Sequence, residues 1–594
     1  MLALRALNRL LAQHIRRPVV GCPWQLSPGC ASSQACLNNG AASGSRAVVV
    51  EASRGSRARR LKCDNGVGEG WESVDYHSES GGDAYDDGYE EDPNDPHRAE
   101  LLNAVVKVYC KHTEPNFSLP WQKKRQFSST SSGFMVSDGP EKRPWVLTNA
   151  HSVAYHSQVQ VKRRDTEKKF IARVLAVGTD CDVALLMVDD KEFWKGVEPL
   201  PLGSLPKLQD YVTVVGYPVG GDSLSVTAGV VSRIEVTHFC HGSCDLLGVQ
   251  IDAAINSGNS GGPVFSEAGY CVGIAFQSYA GSDAENIGYV IPTPVIRHFL
   301  QDYSRNKKVT GFPALGITYQ RLDAKDIRES CGLKEGQSGV MVRSVNPTSN
   351  SFGVLEVGDV LMEFDGVKIA CDGTVPFRTS ERIMFTFLVA NKFVGNMADL
   401  LVLRDGTPTR LQFELGRPQA LVPSHLNGKN PSYFVVAGCV FTSLSEPYLA
   451  NEFGMDYATE SPVKLLEKVY FGIPKKKGHQ VVLLSQVLAN EATVGYEDME
   501  NVPVVAFNGT PVENLCHLSE MVVNCKEKYM TFDLEYHQVI VLATEAAKAA
   551  TDVVLEEYSI PNMASPDVRE HLEKEKAGSG KRKLSERPSG AIRL

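Results

Sequence analysis

The sequence predicts a mainly β protein, with two six-stranded antiparallel barrels followed by two smaller α+β domains. The first observation is a series of short β-prone segments between turn residues, starting at residues 104–109. The second is the spacing of a histidine, an aspartate and a serine, which places the serine in a second group of short strands. The third is a strand, tight-turn and helix pattern that follows residue 306 and recurs near residue 502.

The first two candidate site residues, His151 and Asp182, each border an apolar segment. His151 follows the β-prone residues 144–148, so its imidazole is expected where a strand runs into a loop. Asp182 immediately precedes residues 183–188, a run too apolar for a surface strand. A carboxylate at the end of a buried strand needs a hydrogen-bond donor, and Nδ1 of His151 is the natural one. A structural aspartate with satisfied hydrogen bonds is the alternative.

Ser260 lies in the glycine-rich segment 258–262. Glycine allows a turn that points the N–H groups of Gly258 and Ser260 at one spot, in conformations that a Cβ would resist. Two such donors can form an oxyanion hole. A plain glycine-rich turn is the alternative, but the order His151, Asp182, Ser260, at intervals of 31 and 78 residues, indicates a serine-protease triad.

The sequence resembles the Deg/HtrA family of serine proteases over roughly residues 100–560. Its most specific stretch is residues 250–263, which read QIDAAINSGNSGGP. The resemblance implies a chymotrypsin-like double β-barrel, with His151 as general base, Asp182 orienting it and Ser260 as nucleophile. It also implies an ATP-independent endopeptidase of protein quality control that acts on unfolded or damaged proteins, requires no cofactor and forms trimers or multiples of trimers. A chaperone or scaffold that binds clients, and a sequence-specific processing protease, are the alternatives.

The residue before the nucleophile is Asn259, where trypsins place an aspartate that pairs with the N-terminus released on zymogen cleavage. Asparagine carries no charge to make that pair. We therefore expect activation by ordering of the active-site loops rather than by insertion of a new N-terminus.

The primary specificity pocket is expected to be apolar. Residues near the nucleophile that should line it carry no charge: Ala254, Ile255, Ile274 and Ala275. Such a pocket accepts a small or medium apolar side chain and offers no partner to Lys or Arg. Core packing alone is the alternative for Ile274.

Residues 98–305 are thus the expected protease domain, and residues 306–417 indicate a PDZ module. In that module, backbone amides around Leu315, Gly316 and Ile317 can capture a terminal carboxylate while a strand accepts the peptide. Internal docking is the alternative use of the groove. Residues 418–560 form a weaker second copy without a clean carboxylate loop, which predicts a degenerate PDZ-like domain used for packing or subunit contact.

Both ends of the chain differ in composition from its centre. Residues 1–60 are Arg-containing, with no acidic residue before Glu51, and residues 2–17 form an amphipathic basic helix pattern. They predict an organelle targeting peptide, with the mitochondrial matrix favoured over chloroplast and then nucleus; a disordered basic tail is the alternative. Residues 61–97 read as an acidic disordered linker, and residues 561–594 as a charged tail.

The remaining composition excludes several classes. No run of 18 apolar residues is present, which predicts no membrane span. The net charge of −9 argues against general nucleic-acid binding. The 14 cysteines are scattered, which favours free thiols in a reducing compartment. Residues 238–244 carry two histidines and two cysteines, but without a second ligand pair at a recognisable interval we expect no metal.

Overall fold

The structure is a computed structural model that describes residues 96–137, 144–240, 242, 244–281, 284–454 and 456–585. The expected targeting peptide at residues 1–60 and nearly all of the acidic linker at residues 61–97 lie outside the described residues. Those two expectations stay predictions.

The first barrel is closed and follows a short helix, α1 (Pro96–Asn103). Its strands are β1 (Val105–His112), β2 (Phe127–Val136), β3 (Trp145–Thr148), β4 (His156–Arg163), β5 (Lys169–Gly178) and β6 (Val183–Met187). They pair in the order β1-β2-β3-β6-β5-β4. All of β3 and the first four residues of β6 are buried, as their continuous apolar runs predict.

The second barrel is also closed. Its strands are β7 (Tyr211–Gly216), β8 (Ser225–Phe239), β9 (Cys244–Ile251), β10 (Pro263–Ser266), β11 (Cys271–Gly281) and β12 (Ala284–Pro292). They pair in the order β10-β11-β12-β9-β8-β7, and helix α2 (Thr293–Asn306) leads out of the barrel. Three short 3-10 helices follow strands of the first barrel. They lie at His151–Val153 after β3, Thr179–Cys181 after β5 and Lys191–Trp194 after β6. The expected pair of antiparallel barrels is confirmed.

The next domain contains a main antiparallel sheet and a separate two-stranded sheet. Its strands are β13 (Ile317–Arg321), β14 (Val340–Val345), β15 (Val360–Phe364), β16 (Val367–Lys368), β17 (Thr374–Pro376), β18 (Arg382–Met384), β19 (Met397–Arg404) and β20 (Thr407–Glu414), with helices α3 (Lys325–Ser330) and α4 (Thr386–Ala390). The main sheet has the order β13-β14-β15-β19-β20, so β13 lies at one edge.

The last domain repeats this sheet with one more strand. It contains β21 (Tyr433–Val436), β22 (Cys439–Ser443), β23 (Val482–Val487), β24 (Val502–Phe507), β25 (Thr510–Pro511), β26 (Tyr529–Leu534) and β27 (Val539–Ala543). Its helices are α5 (Glu446–Phe453), α6 (Tyr457–Glu460), α7 (Val463–Phe471), α8 (Leu515–Asn524), α9 (Thr544–Glu557) and α10 (Pro566–Ser585), with 3-10 helices at Glu491–Thr493 and Glu535–His537.

This last domain extends into residues 561–594, which we expected to be a charged tail. Val435 N donates to Met563 O (2.7 Å), and Phe434 forms an antiparallel bridge with Ala564. Ala564 is buried, as is the following helix residue Val568. The expectation is therefore wrong for the start of this segment, because a few buried apolar residues suffice to dock a stretch that is otherwise charged.

Within the part of the chain that the structure describes, no helix has the length and apolar character needed to cross a bilayer. The cysteines in the same part are free thiols.

Candidate active site

His151 and Asp182 are joined by two hydrogen bonds. The backbone N of His151 donates to Asp182 Oδ1 (2.9 Å), and His151 Nδ1 lies 2.7 Å from Asp182 Oδ2. The Asp182 side chain is fully buried, whereas the His151 side chain is 19% exposed. A buried carboxylate that faces Nδ1 makes this nitrogen the protonated one, so Nε2 is left as the basic nitrogen on the more open side.

The backbone around Asp182 holds this arrangement from a second direction. Asp182 directly follows the 3-10 helix Thr179–Cys181 and has a φ of 52°, an uncommon conformation outside glycine. Its carbonyl accepts hydrogen bonds from Asn149 Nδ2 (2.9 Å) and from Ala150 N (3.1 Å). The segment before β6 is thus fixed to the segment that ends at His151.

Ser260 lies in a turn that is attached to the first barrel through Ser132 on β2. Ser132 N donates to Ser260 O (2.9 Å), and Ser132 Oγ donates to Gly258 O (2.7 Å) while accepting from Tyr217 N (2.7 Å). The Ser132 side chain is fully buried. The sequence did not single out this residue, because its partner Gly258 lies 126 residues further along the chain.

The turn also approaches the segment that ends at His151. A Cβ added to Gly261 would lie 2.2 Å from Ser132 O, 2.5 Å from Thr148 Oγ1 and 3.2 Å from Asn149 N. Gly261 has a φ of +85°, so both space and backbone conformation require glycine here. The residue after Ser260 therefore contacts the strand end that presents His151.

The N–H groups of Gly258 and Ser260 share peptide units with the carbonyls of Ser257 and Asn259. Hydrogen bonds to these two carbonyls fix the direction of the N–H groups. Ser257 O accepts from Val219 N (2.8 Å), and Asn259 O accepts from Gly262 N (2.9 Å). In a trans peptide the N–H points away from the C=O, so both N–H groups face the other side. Neither amide donates to an acceptor in the described part of the chain, which suits a pair of oxyanion donors.

Asn259 is fully buried, and its Oδ1 and Nδ2 make no hydrogen bond to any described residue. An aspartate here would be a buried charge without a partner, which costs several kcal/mol. The neutral amide therefore suits this site better than the carboxylate of trypsins.

The residues expected to line the specificity pocket do not all face the same way. Ile255 and Ala275 belong to one buried cluster inside the second barrel, whereas Ile274 packs in the larger cluster with Phe276. Adjacent residues of a strand point to opposite faces, so Ile274 and Ala275 do not line one pocket together. Ala275 also exchanges backbone hydrogen bonds with Gly261 and Gly262, which places it beside the Ser260 turn, while Ala254 is half-buried.

In the first sheet domain, Leu315, Gly316 and Ile317 lead into the edge strand β13. Gly316 has a φ of +68°, and a Cβ there would lie 2.4 Å from the Ser349 side chain and 3.2 Å from Pro418. Exchange of Gly316 is thus expected to distort the loop itself, and Ile317 is the better position for testing peptide capture.

The second sheet domain differs at the equivalent edge. Strands β24 and β25 form a hairpin around an Asn508-Gly509 turn, as β15 and β16 do in the first sheet domain. Strand β24 therefore corresponds to β15. Two strands further along each sheet, β22 corresponds to β13. One edge of β22 pairs with β23 and the other pairs with β21. A peptide strand cannot add to β22 at this edge without displacing β21.

The histidine- and cysteine-bearing residues 238–244 make other contacts. His238 Nδ1 lies 2.9 Å from Asp245 Oδ1, and Cys240 Sγ donates to Gln277 Oε1 (2.6 Å). His241 lies outside the described residues. Among those that are described, no three potential ligand side chains lie close enough together to hold a metal ion.

Comparison with known proteins finds related domains, and relatives that match most of the chain. A trypsin-like peptidase domain matches residues 131–274, and a PDZ domain matches residues 422–567. Protease Do-like 2, chloroplastic, from Arabidopsis thaliana is 52% identical over 81% of this chain and 77% of its own length. Putative protease Do-like 3, mitochondrial, from the same plant is 39% identical over 79% of this chain and 80% of its own length. The chain belongs to the Deg/HtrA family of serine proteases.

Membership in the Deg/HtrA family confirms the resemblance read from residues 250–263 and the mainly β fold. It makes this chain a serine endopeptidase. A third relative of this Deg/HtrA protease, the serine protease DegP homolog of Plasmodium falciparum (isolate 3D7), is 28% identical over 71% of this chain and 58% of its own length. The PDZ match ends at residue 567, in agreement with a second PDZ-like domain that continues past residue 560.

Proposed function

We propose that this endopeptidase hydrolyses unfolded or damaged polypeptides with Ser260 as nucleophile, His151 as general base and Asp182 as the group that orients His151. The observation that carries the proposal is the two-point contact of the buried Asp182 carboxylate with the backbone N and Nδ1 of His151. This contact sets the tautomer in which Nε2 can accept the serine proton. The attachment of the Ser260 turn to Ser132 supports the nucleophile role, because it fixes the turn next to the His151 segment.

The reaction proceeds by acyl transfer in two steps. Ser260 Oγ attacks the peptide carbonyl as His151 takes its proton, and the oxyanion accepts hydrogen bonds from the amides of Gly258 and Ser260. In other serine proteases one such donor is worth about 3 to 4 kcal/mol of transition-state stabilisation. His151 then protonates the leaving amine, and water repeats the attack to release the acyl group. Apart from the attacking water, the groups that act on the substrate in these steps are side chains and amides of this chain.

Selectivity is proposed to follow from the apolar residues beside the Ser260 turn. Ile255 and Ala275 are buried and uncharged, and Ala254, the residue before Ile255, is half-buried. A small apolar pocket favours Ala, Val or Ile on the acyl side of the cut bond by about 1 to 3 kcal/mol per well-fitted methylene.

Digestion of chemically denatured casein without nucleotide tests this function. We expect many fragments whose new C-termini are mostly Ala, Val or Ile, as measured by mass spectrometry, and far fewer from a tightly folded control protein. One or two discrete cuts would favour a processing protease instead. Protection of the casein from aggregation with no cleavage would favour a scaffold, and C-termini dominated by Lys or Arg would contradict the apolar pocket.

The active species is proposed to be a homo-oligomer, a trimer or a multiple of trimers, as the family resemblance implies. The same digestion, performed on fractions separated by size exclusion with light scattering, should place the activity at masses that are multiples of three chains. Activity confined to the monomer fraction would contradict this assembly.

The expected location is an organelle, and we propose the mitochondrial matrix with the chloroplast as alternative. The basic amphipathic pattern of residues 2–17 supports the first, and the chloroplastic name of the 52% identical relative supports the second. A fluorescent protein fused behind residues 1–60 should enter one of the two organelles, and exchange of Arg5, Arg9 and Arg16 for glutamate should leave it in the cytosol. Retention of the unaltered fusion in cytosol or nucleus would overturn the proposal.

A further inference from the structure

Asp180 is a buried carboxylate that lies two residues before Asp182. It belongs to the 3-10 helix Thr179–Cys181 and is 7% exposed. Its Oδ1 accepts hydrogen bonds from Arg417 Nη2 (2.9 Å) and from His425 Nε2 (3.1 Å). Both partners lie outside the two barrels, in the segment between the end of β20 at Glu414 and the start of β21 at Tyr433. A side chain of the protease domain is thus held by the connection between the two PDZ-like domains.

A third segment closes around the same pair. Arg417 Nη1 donates to Thr310 O (3.4 Å), and the next residue is Gly311 with a φ of +82°. A Cβ at Gly311 would lie 2.3 Å from Arg417 Nη1 and 2.6 Å from Asp180 Oδ2. The chain that leaves the second barrel therefore packs directly against the pair, and only glycine permits the approach.

The contacts keep Asp180 ionised. Burial alone would raise the pKa of its carboxyl, but the hydrogen bond from His425 and the positive charge of Arg417 outweigh burial, and the pKa lies below its ordinary value. Removal of Arg417 takes the principal positive charge away from this buried carboxylate. The carboxylate then gains by moving toward water, and a shift of the 3-10 helix that carries it provides such a movement.

The 3-10 helix fixes the position of the Asp182 backbone. Asp182 N donates back to Thr179 O (3.2 Å), so Asp182 closes the turn of which Asp180 is the centre. The Asp182 carboxylate must reach both the backbone N and Nδ1 of His151 from that turn. A displacement of Asp180 is transmitted through two peptide bonds to the carboxylate that faces His151.

We propose that Asp180 is a positioning residue, which Arg417 and His425 hold so that Asp182 stays in register with His151. This inference rests on the proposed function of His151 and Asp182. It assigns to the segment between the two PDZ-like domains a direct part in aligning the active site.

The test is Arg417→Gln in the full chain, assayed with a quenched peptide that carries Val before the cut bond. We expect kcat to fall about 10- to 100-fold, because misplacement of a catalytic group by about 1 Å costs about 100-fold, while KM stays within about twofold. His425 remains as a partner of Asp180 in this variant, and urea unfolding checks that it folds. Arg417→Lys keeps the charge next to Asp180 and should recover most of the loss.

The pH profile of kcat/KM separates positioning from a simple charge effect. Loss of a positive charge alone would stabilise protonated His151 and move the acid limb to higher pH. Displacement of Asp182 removes the stabilising carboxylate, so we expect the acid limb to move to lower pH. Burial lowers the pKa of His112, the neighbouring imidazole, so its titration lies below the ordinary histidine range.

Arg173→Gln is the matched control, because Arg173 also pairs with an aspartate on the first barrel, Asp189, at 3.2 Å on the exposed surface. It should leave kcat and the pH profile unchanged. A lower Tm for Arg417→Gln with unchanged kcat, or an acid limb at higher pH, would overturn the inference. Absence of Ser260-dependent hydrolysis in the unaltered protein would instead overturn the proposed function.

Discussion

Ser260→Ala is expected to lower kcat by about a millionfold and to leave folding and substrate binding intact. Loss of the nucleophile in a well-studied serine protease has an effect of about this size, because the other members of a triad cannot act without it. The turn should persist, since Ser132 donates to the backbone carbonyls of Ser260 and Gly258, which alanine retains. Peptide hydrolysis by the purified variant, together with its affinity for denatured casein, measures both effects.

The control for this variant is Ser266→Ala, at the end of β10 in the same barrel. Ser266 Oγ donates only a long, weak hydrogen bond to Tyr270 O (3.4 Å). Loss of this bond should leave kcat unchanged. If Ser260→Ala kept more than about a thousandth of the kcat of the unaltered protein, another residue would have to attack the substrate. Without a nucleophile, binding and the oxyanion hole sustain only about 10³- to 10⁴-fold catalysis over the reaction in water.

Asp182→Asn is expected to lower kcat by about 10⁴-fold near neutral pH, with little change in KM. An amide beside Nδ1 donates a hydrogen to it, so the proton of the imidazole moves to Nε2, where it blocks general-base catalysis. The backbone N of His151 can still donate to the amide oxygen, which should preserve the loop. Steady-state kinetics with the quenched peptide and urea unfolding measure the two consequences separately.

Asp189→Asn supplies the comparison, since Asp189 follows β6 at the other end of the same strand and is largely exposed. It should match the unaltered protein in both assays. A loss of activity by Asp182→Asn that is fully explained by unfolding would contradict the assigned role, because the carboxylate would then be structural, the alternative that the sequence left open.

The local parts of the site could be predicted because each depends on a short pattern. His151 and Asp182 border apolar strands whose ends fix their direction, and the glycines around Ser260 mark a turn that other residues cannot adopt. Ser132 could not be predicted in the same way. Its role depends on contact with a turn more than 120 residues away, and nothing adjacent to it in the sequence signals that partner.

The errors have a similar origin. Ile274 and Ala275 look equivalent by composition, but strand alternation sends them to opposite faces once the register of β11 is known. The segment after residue 560 looks like a solvated tail, yet Met563 pairs with β21 and Val568 is buried. Sparse apolar residues dock only against a surface built by distant strands, which composition alone does not reveal.

The hydrogen bonds of Ser132 attach a strand of the first barrel to the Ser260 turn of the second. The geometry of this turn therefore depends on both barrels, and exchange of the first barrel alone should disturb it. A foreign first barrel would have to supply a backbone N–H and a hydroxyl at the same place to hold the Ser260 turn.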